Sequence, residues 1–353
     1  MRFVAFMFSS PARTRVSYFR TVLLLLAVTA LIAATAPAPA VAQTYTGSHE
    51  VISESQQNEI LTPTVVHNTW TTGAPMPTAL QGPATGVIKG KVYVVGGATS
   101  SAEVSINQIY NPKTNKWTTG ASMPTARVVP AGSVVNNILY VIGGKLNGNQ
   151  LNVVEAYDPT TDTWSELTPM PSERDSIKAV VKNGIIYVIG GFNNGGGRLN
   201  TVESYNPATD TWTTAASLLV AKSSMAAGLL GSTIVAAAGL TDSGATGGNE
   251  GYNSSTNSWK TLTSDPTARW DGCSASILGQ LYYAGGRNNS GPVSVVESFD
   301  LKENTWTALA SIPVAPSNPG EAEVSNLLYC IGGSSTGNLG KGALYDNVQI
   351  YHP

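Results

Sequence analysis

The chain has 353 residues, a formal net charge of -2 and only 12% charged residues. That balance supplies neither a basic footprint for nucleic acid nor an acidic tail, so nucleic acid is not an expected partner. Thirty-six glycines among many Ser, Thr and Asn residues suit short strands joined by polar turns.

The N-terminus reads as a targeting segment. Arg2, Arg13, Arg15 and Arg20 precede an apolar run from Val22 to Ala34, and small residues continue to Ala40-Val41-Ala42. A basic start, a short apolar core and an A-x-A-like site make a secretory signal peptide over residues 1–42. The run is shorter than the roughly 18 apolar residues that a membrane span needs. Residues 43–64 read as a polar leader and residues 65–353 as the folded domain. The mature chain is therefore expected to be secreted or periplasmic, without a membrane span.

An internal repeat follows. Tryptophans stand at Trp70, Trp117, Trp164, Trp212, Trp259 and Trp306, with gaps of 47, 47, 48, 47 and 47 residues. A small-residue doublet keeps the same beat at Gly96-Gly97, Gly143-Gly144, Gly190-Gly191, Ala238-Gly239, Gly285-Gly286 and Gly332-Gly333. An aromatic residue lies after each doublet, at Tyr110, Tyr157, Tyr205, Tyr252, Phe299 and Tyr351. A fixed period with three landmarks in register means stacked structural units.

Each unit divides into four short strands. In the second, Val128–Val135 and Ile138–Ile142 flank an Asn136-Asn137 turn. The segment from Val153 to Tyr157 is the third strand, and Thr163-Trp164 opens the fourth after Asp158-Pro159. Helical periodicity is absent, so the expected class is all-β. A four-stranded sheet of this size cannot bury both faces alone and must stack on its neighbours. The tryptophans are the apolar plates for that stacking, and the glycines allow close backbone approach.

The Gly-Gly doublet, the Tyr-[Asp/Asn]-Pro turn and the downstream Trp resemble the Kelch family, from Thr69 to Pro353. The resemblance implies a six-bladed β-propeller of four-stranded Kelch repeats. Its functions are broad, because Kelch propellers serve as protein-binding modules and also as enzyme scaffolds. The fourth unit departs most, with Ala238 in the doublet and no proline after Tyr252-Asn253, and is expected to be less regular.

The last unit stops at Tyr351-His352-Pro353, before its Trp strand, while Trp70 has no unit before it. An N-terminal strand is thus expected to complete the last blade, removing open sheet edges.

Turns between strands one and two, and three and four, share one face and are short. Longer loops, such as those beginning at Lys145, Phe192, Leu240 and Arg287, share the other. Binding residues concentrate on such loops, so the site is expected there. One column, sixteen residues before each doublet, reads Leu80, Arg127, Arg174, Lys222, Arg269 and Pro316. Two readings stand for its cations: an arc at the channel mouth for an anionic ligand, or fasteners between blades. Asp175, Trp270 and Asp271 adjoin them, and Trp270 is the tryptophan off the repeat beat. Arg127, Arg174, Asp175, Lys222, Arg269, Trp270 and Asp271 form the candidate ligand site. Lys178 is expected to reach the channel, and Glu321 and Glu323 share a face of the last inner strand.

Cofactors and metals are not expected. The three histidines, His49, His67 and His352, show no ligand spacing with each other or with cysteine. The copper-radical oxidases with Kelch-like repeats use histidine ligands inside the ring, which the loop-face residues here do not supply. Cys273 and Cys330 fall in different blades, where buried free thiols are expected.

The leading expectation is an exported, monomeric binding module that recognises a protein, peptide or glycan through the loop face, rather than an enzyme. The rival is a carbohydrate-active enzyme, since the resemblance also extends to exported sugar isomerases of the sialic-acid mutarotase kind. Lys178, Arg174, Asp175, Arg269, Asp271 and Glu321 would then carry the chemistry.

Overall fold

A computed structural model describes residues 67–337 and 342–353. The signal peptide assigned to 1–42 and the leader assigned to 43–64 lie outside the described residues. Six four-stranded antiparallel sheets form the blades. Their innermost strands are Ala84–Ile88, Ala131–Val135, Lys178–Lys182, Ala226–Leu230, Cys273–Ile277 and Gly320–Val324. Each touches the next, and the last touches the first, so the six blades close into a ring around an axial channel. We number them 1 to 6 in that order. Among the described residues there is no helix, and hence none long and apolar enough to cross a membrane.

Blade 6 takes its outermost strand from the other end of the chain. Thr69–Gly73 pairs antiparallel with Val348–His352, placing Trp70 opposite Tyr351. Every blade repeats one fastening at its rim, without the hydroxyl bond in blade 5, where Phe299 replaces the tyrosine. In blade 2 the Trp164 indole donates to the Ala121 carbonyl at 2.8 Å. The Tyr157 hydroxyl donates to Asp162, which also accepts from the Ala121 amide. In blade 6 Trp70, Tyr351 and Asn68 repeat this arrangement against Ala310.

Blade 4 is as regular as the rest, contrary to the expectation from its sequence. Its strands are Ala226–Leu230, Thr233–Ala237, Asn249–Asn253 and Ser258–Leu262. Ala238 has φ 56°, which an L-residue adopts at modest cost, whereas the second doublet position, at φ 114° in Gly239, needs glycine. The missing proline is immaterial because the Asn253 side chain caps the turn, accepting from the Ser255 amide.

The expectation of free thiols is also corrected: Cys273 and Cys330 form a disulfide. Cys273 opens the innermost strand of blade 5 and Cys330 lies on the second strand of blade 6. Stacked blades bring these strands together although 57 residues separate them in sequence.

Candidate functional site

The cation column is buried. Arg127, Arg174, Lys222 and Arg269 each have 0% exposure, so none can touch a ligand on the loop face as the anion-arc reading required. Each is paired with a glutamate on the third strand of its own blade: Glu155, Glu203, Glu250 and Glu297. Each backbone carbonyl accepts from the second doublet glycine of the preceding blade, as Arg174 does from Gly144 at 3.1 Å. The side chain plugs one blade while the main chain fastens the previous one, which is the fastener reading. Burial pulls the Arg127 and Arg174 guanidinium groups down to about 10 against the pull of Glu155 and Glu203, so both stay charged at neutral pH.

Blades 1 and 6 carry Leu80 and Pro316 in this column, and there the acid is absent too. Gln108 and Gln349 occupy the glutamate position and bond the backbone of Thr78 and Val314 instead. A buried carboxylate without its cation costs several kcal/mol, so charge and partner change together. Blade 5 adds a second acid. Asp265 stands where blades 1 to 4 have Met76, Met123, Met170 and Leu218, and it contacts Arg269 at 3.3 Å. Burial pushes its carboxyl up to about 8, against the pull of Arg269.

The groups facing the channel mouth lie two residues after this cation column. Gly82, Val129, Ser176, Ser224, Asp271 and Asn318, one per blade, all have φ between 50° and 60°. The amide of each donates to the carbonyl of its counterpart in the preceding blade, at 2.7–3.1 Å, and Gly82 closes the circle by donating to Asn318. This collar encloses a small well of about 90 Å³. Its floor is a bridge across the channel: Lys178 of blade 3 pairs with Glu321 of the opposite blade 6. Glu321 also accepts from the amide and hydroxyl of Ser274. Glu323 instead accepts from the amide of Asn326.

Above the collar a wider funnel of about 290 Å³ opens to the loop face, with Lys145, Phe192, Arg198, Leu240, Trp270 and Gly337 in its wall. Arg198 lies over the Phe192 ring and pairs with Asp242 at 3.0 Å. Arg287 lies over the Trp270 ring, with 5.4 Å from its guanidinium carbon to the centroid. Its Nε is buried without a hydrogen-bond partner among the described residues. Asp175 is held by Gln150 and Ser176. Burial pushes the Asp271 carboxyl up to about 6. The Ser224 hydrogen bond and the charges of Arg287 and Lys178 oppose that rise, and Asp175 adds to it. Of the predicted site residues, the structure thus brings Asp175, Trp270 and Asp271 together at the mouth and sends the four cations into the blades. Among the described residues, no cluster of His, Cys, Asp and Glu is placed to hold a metal ion.

Sequence reasoning missed the collar, whose six positions share no chemistry. It also missed the Arg–Glu pairing, whose signal was legible: cation and glutamate columns both lapse in units 1 and 6.

The fold and the funnel define a six-bladed β-propeller with a loop-face cavity. Residues 45–239 match the KLHDC2/KLHL20/DRC7 Kelch-repeats domain, and residues 271–313 match the Kelch motif. The chain belongs to the Kelch-repeat family. No curated protein matches it. A solved structure titled "Structure of YjhT" is similar, with a TM-score of 0.67 and 18% identity over 78% of this chain and 96% of that one. At that identity the likeness shows the fold alone.

Proposed function

We propose that this protein is an exported binding module whose loop-face funnel recognises a peptide or glycan ligand. The observation that carries the reading is the Trp270–Asp271 mouth. There an off-repeat aromatic ring, backed by Arg287, stands beside a partly buried carboxyl over a preformed well. A rigid scaffold presenting an aromatic plate and a few convergent polar groups is the usual form of a small-ligand site. Export is supported by the N-terminal pattern of residues 1–42 and by the Cys273–Cys330 disulfide, which persists in oxidising compartments. The test is a glycan and peptide array probed with the purified chain and with Trp270→Ala. Ligands held by the first and lost by the second are expected; equal retention by both would sink the reading.

One observation favours the enzymatic alternative. A carboxyl with a pKa of about 6, as at Asp271, exchanges protons readily near neutral pH. If the funnel turns over a sugar, as an isomerase or mutarotase would, NMR of the anomers will show exchange that Asp271→Asn abolishes.

A further inference from the structure

We infer that the mouth of the funnel takes a neutral, multiply hydroxylated ring, a saccharide unit, laid on Trp270 with its hydroxyls on Asp271, Asn318 and Ser224. This deepens the binding-module reading and rests on it. An anion needs a cation with an open face, and here almost every cation is engaged. Arg127, Arg174, Lys222 and Arg269 are sealed inside the blades with their glutamates. Lys178 holds Glu321, and Arg198 holds Asp242. Arg287 is laid on the Trp270 ring, its charge set against Asp271. Lys145 is the one cation of the funnel wall outside these pairings, and it shares that wall with Asp175 and Asp271.

The remaining groups suit hydroxyls. The collar's amides and carbonyls bond one another, so the mouth presents side chains. Asp271, Asn318 and Ser224 follow one another around it and line both the well and the funnel. The Ser224 hydroxyl bonds Asp271 and the Asn318 amide donates to the Gly337 carbonyl at 3.4 Å, which leaves carboxyl lone pairs on Asp271, the carbonyl oxygen and a second N–H on Asn318, and the oxygen of Ser224 for a ligand. Adjacent carboxyl and amide groups therefore match neighbouring hydroxyls on one ring. Trp270 supplies an apolar plate for the ring's C–H face. A free sugar and the exposed end of a glycan share this chemistry.

The experiment is calorimetric titration of the purified chain with methyl glycosides of neutral hexoses, with the corresponding uronic acids and with a mixed acidic-peptide pool. Each is run at about 50 mM and about 500 mM sodium chloride. Binding of at least one neutral glycoside, with an affinity unchanged by salt, is expected. Trp270→Ala and Asn318→Ala should weaken it about tenfold or more, and Trp270→Phe should restore most of the Trp270 loss. An unchanged melting temperature in these variants attributes the loss to the site. A salt-sensitive preference for the uronic acid would overturn the inference. So would binding of peptides without any glycoside, although the module reading would then stand. No binding of either class would remove both.

Discussion

The indole nitrogen of Trp70 donates to the carbonyl of Ala310, 240 residues further along the chain, at 2.9 Å. In the other blades the same bond joins residues 43 or 44 apart, as between Trp164 and Ala121 or Trp212 and Thr168. The ring therefore closes with its ordinary interblade joint. Trp70→Ala should cost about 3 kcal/mol, the low end for such truncations because the ring is half-buried. Chemical denaturation reads this directly, and a loss no larger than at an exposed threonine such as Thr72 would contradict the joint.

The paired columns make a thermodynamic cycle. Arg174→Leu alone strands Glu203 in the core and should destabilise by about 3–5 kcal/mol. Arg174→Leu with Glu203→Gln recreates the Leu80 and Gln108 combination of blade 1 and should recover most of that loss. Additive single and double effects would show that the pair is not coupled.

Blade 5 carries a pH dependence. Asp265 has a native pKa near 8, far above that of an unfolded aspartate. Between about pH 4 and pH 8 the unfolded chain releases this proton while the native state keeps it, so stability falls as pH rises through that window. Asp265→Leu, the residue type of Leu218 in blade 4, should remove the slope. It should also raise stability relative to the parent at about pH 9, where the native Asp265 carboxyl would have to ionise in the core beside Glu297. Melting curves from pH 4 to pH 9 test both, and a parallel slope in the variant would contradict the assignment.

The disulfide joins blades 5 and 6 across 57 residues. Constraining a loop of that length in the unfolded chain contributes about 4 kcal/mol. Cys273→Ser with Cys330→Ser should lower the melting temperature while leaving the ring folded, as seen by circular dichroism. An unchanged melting temperature would show that the bond does not form.

The sequence made the ring legible because its periodic residues have one geometric role each. Trp164 and Gly144 mean the same thing in every blade. The cations misled because Arg174 sits in the polar connection that leads into the innermost strand of blade 3, where exposure is the ordinary expectation. Only its partner, Glu203, 29 residues on, reveals that it turns inward. The thiols misled for a related reason, since spacing along the chain does not report which strands of neighbouring blades lie in contact. The collar had no residue signature at all. Its common property is a backbone angle, which Gly82 adopts freely and which Asn318 and Asp271 tolerate, but which is unfavourable for a β-branched residue such as Val129.

That closed circle of amides and carbonyls has an evolutionary consequence. Because the main chain satisfies itself around the opening, the side chain at five of the six positions can be exchanged within the same backbone; Gly82 is the exception, since a Cβ there would meet the Val129 side chain at 2.7 Å. The frame behaves like a ring setting in which the stones are interchangeable. Valine, serine, aspartate and asparagine already occupy equivalent places in one molecule. A relative with the same scaffold could acquire a different ligand through two or three such exchanges while its blades stayed as they are.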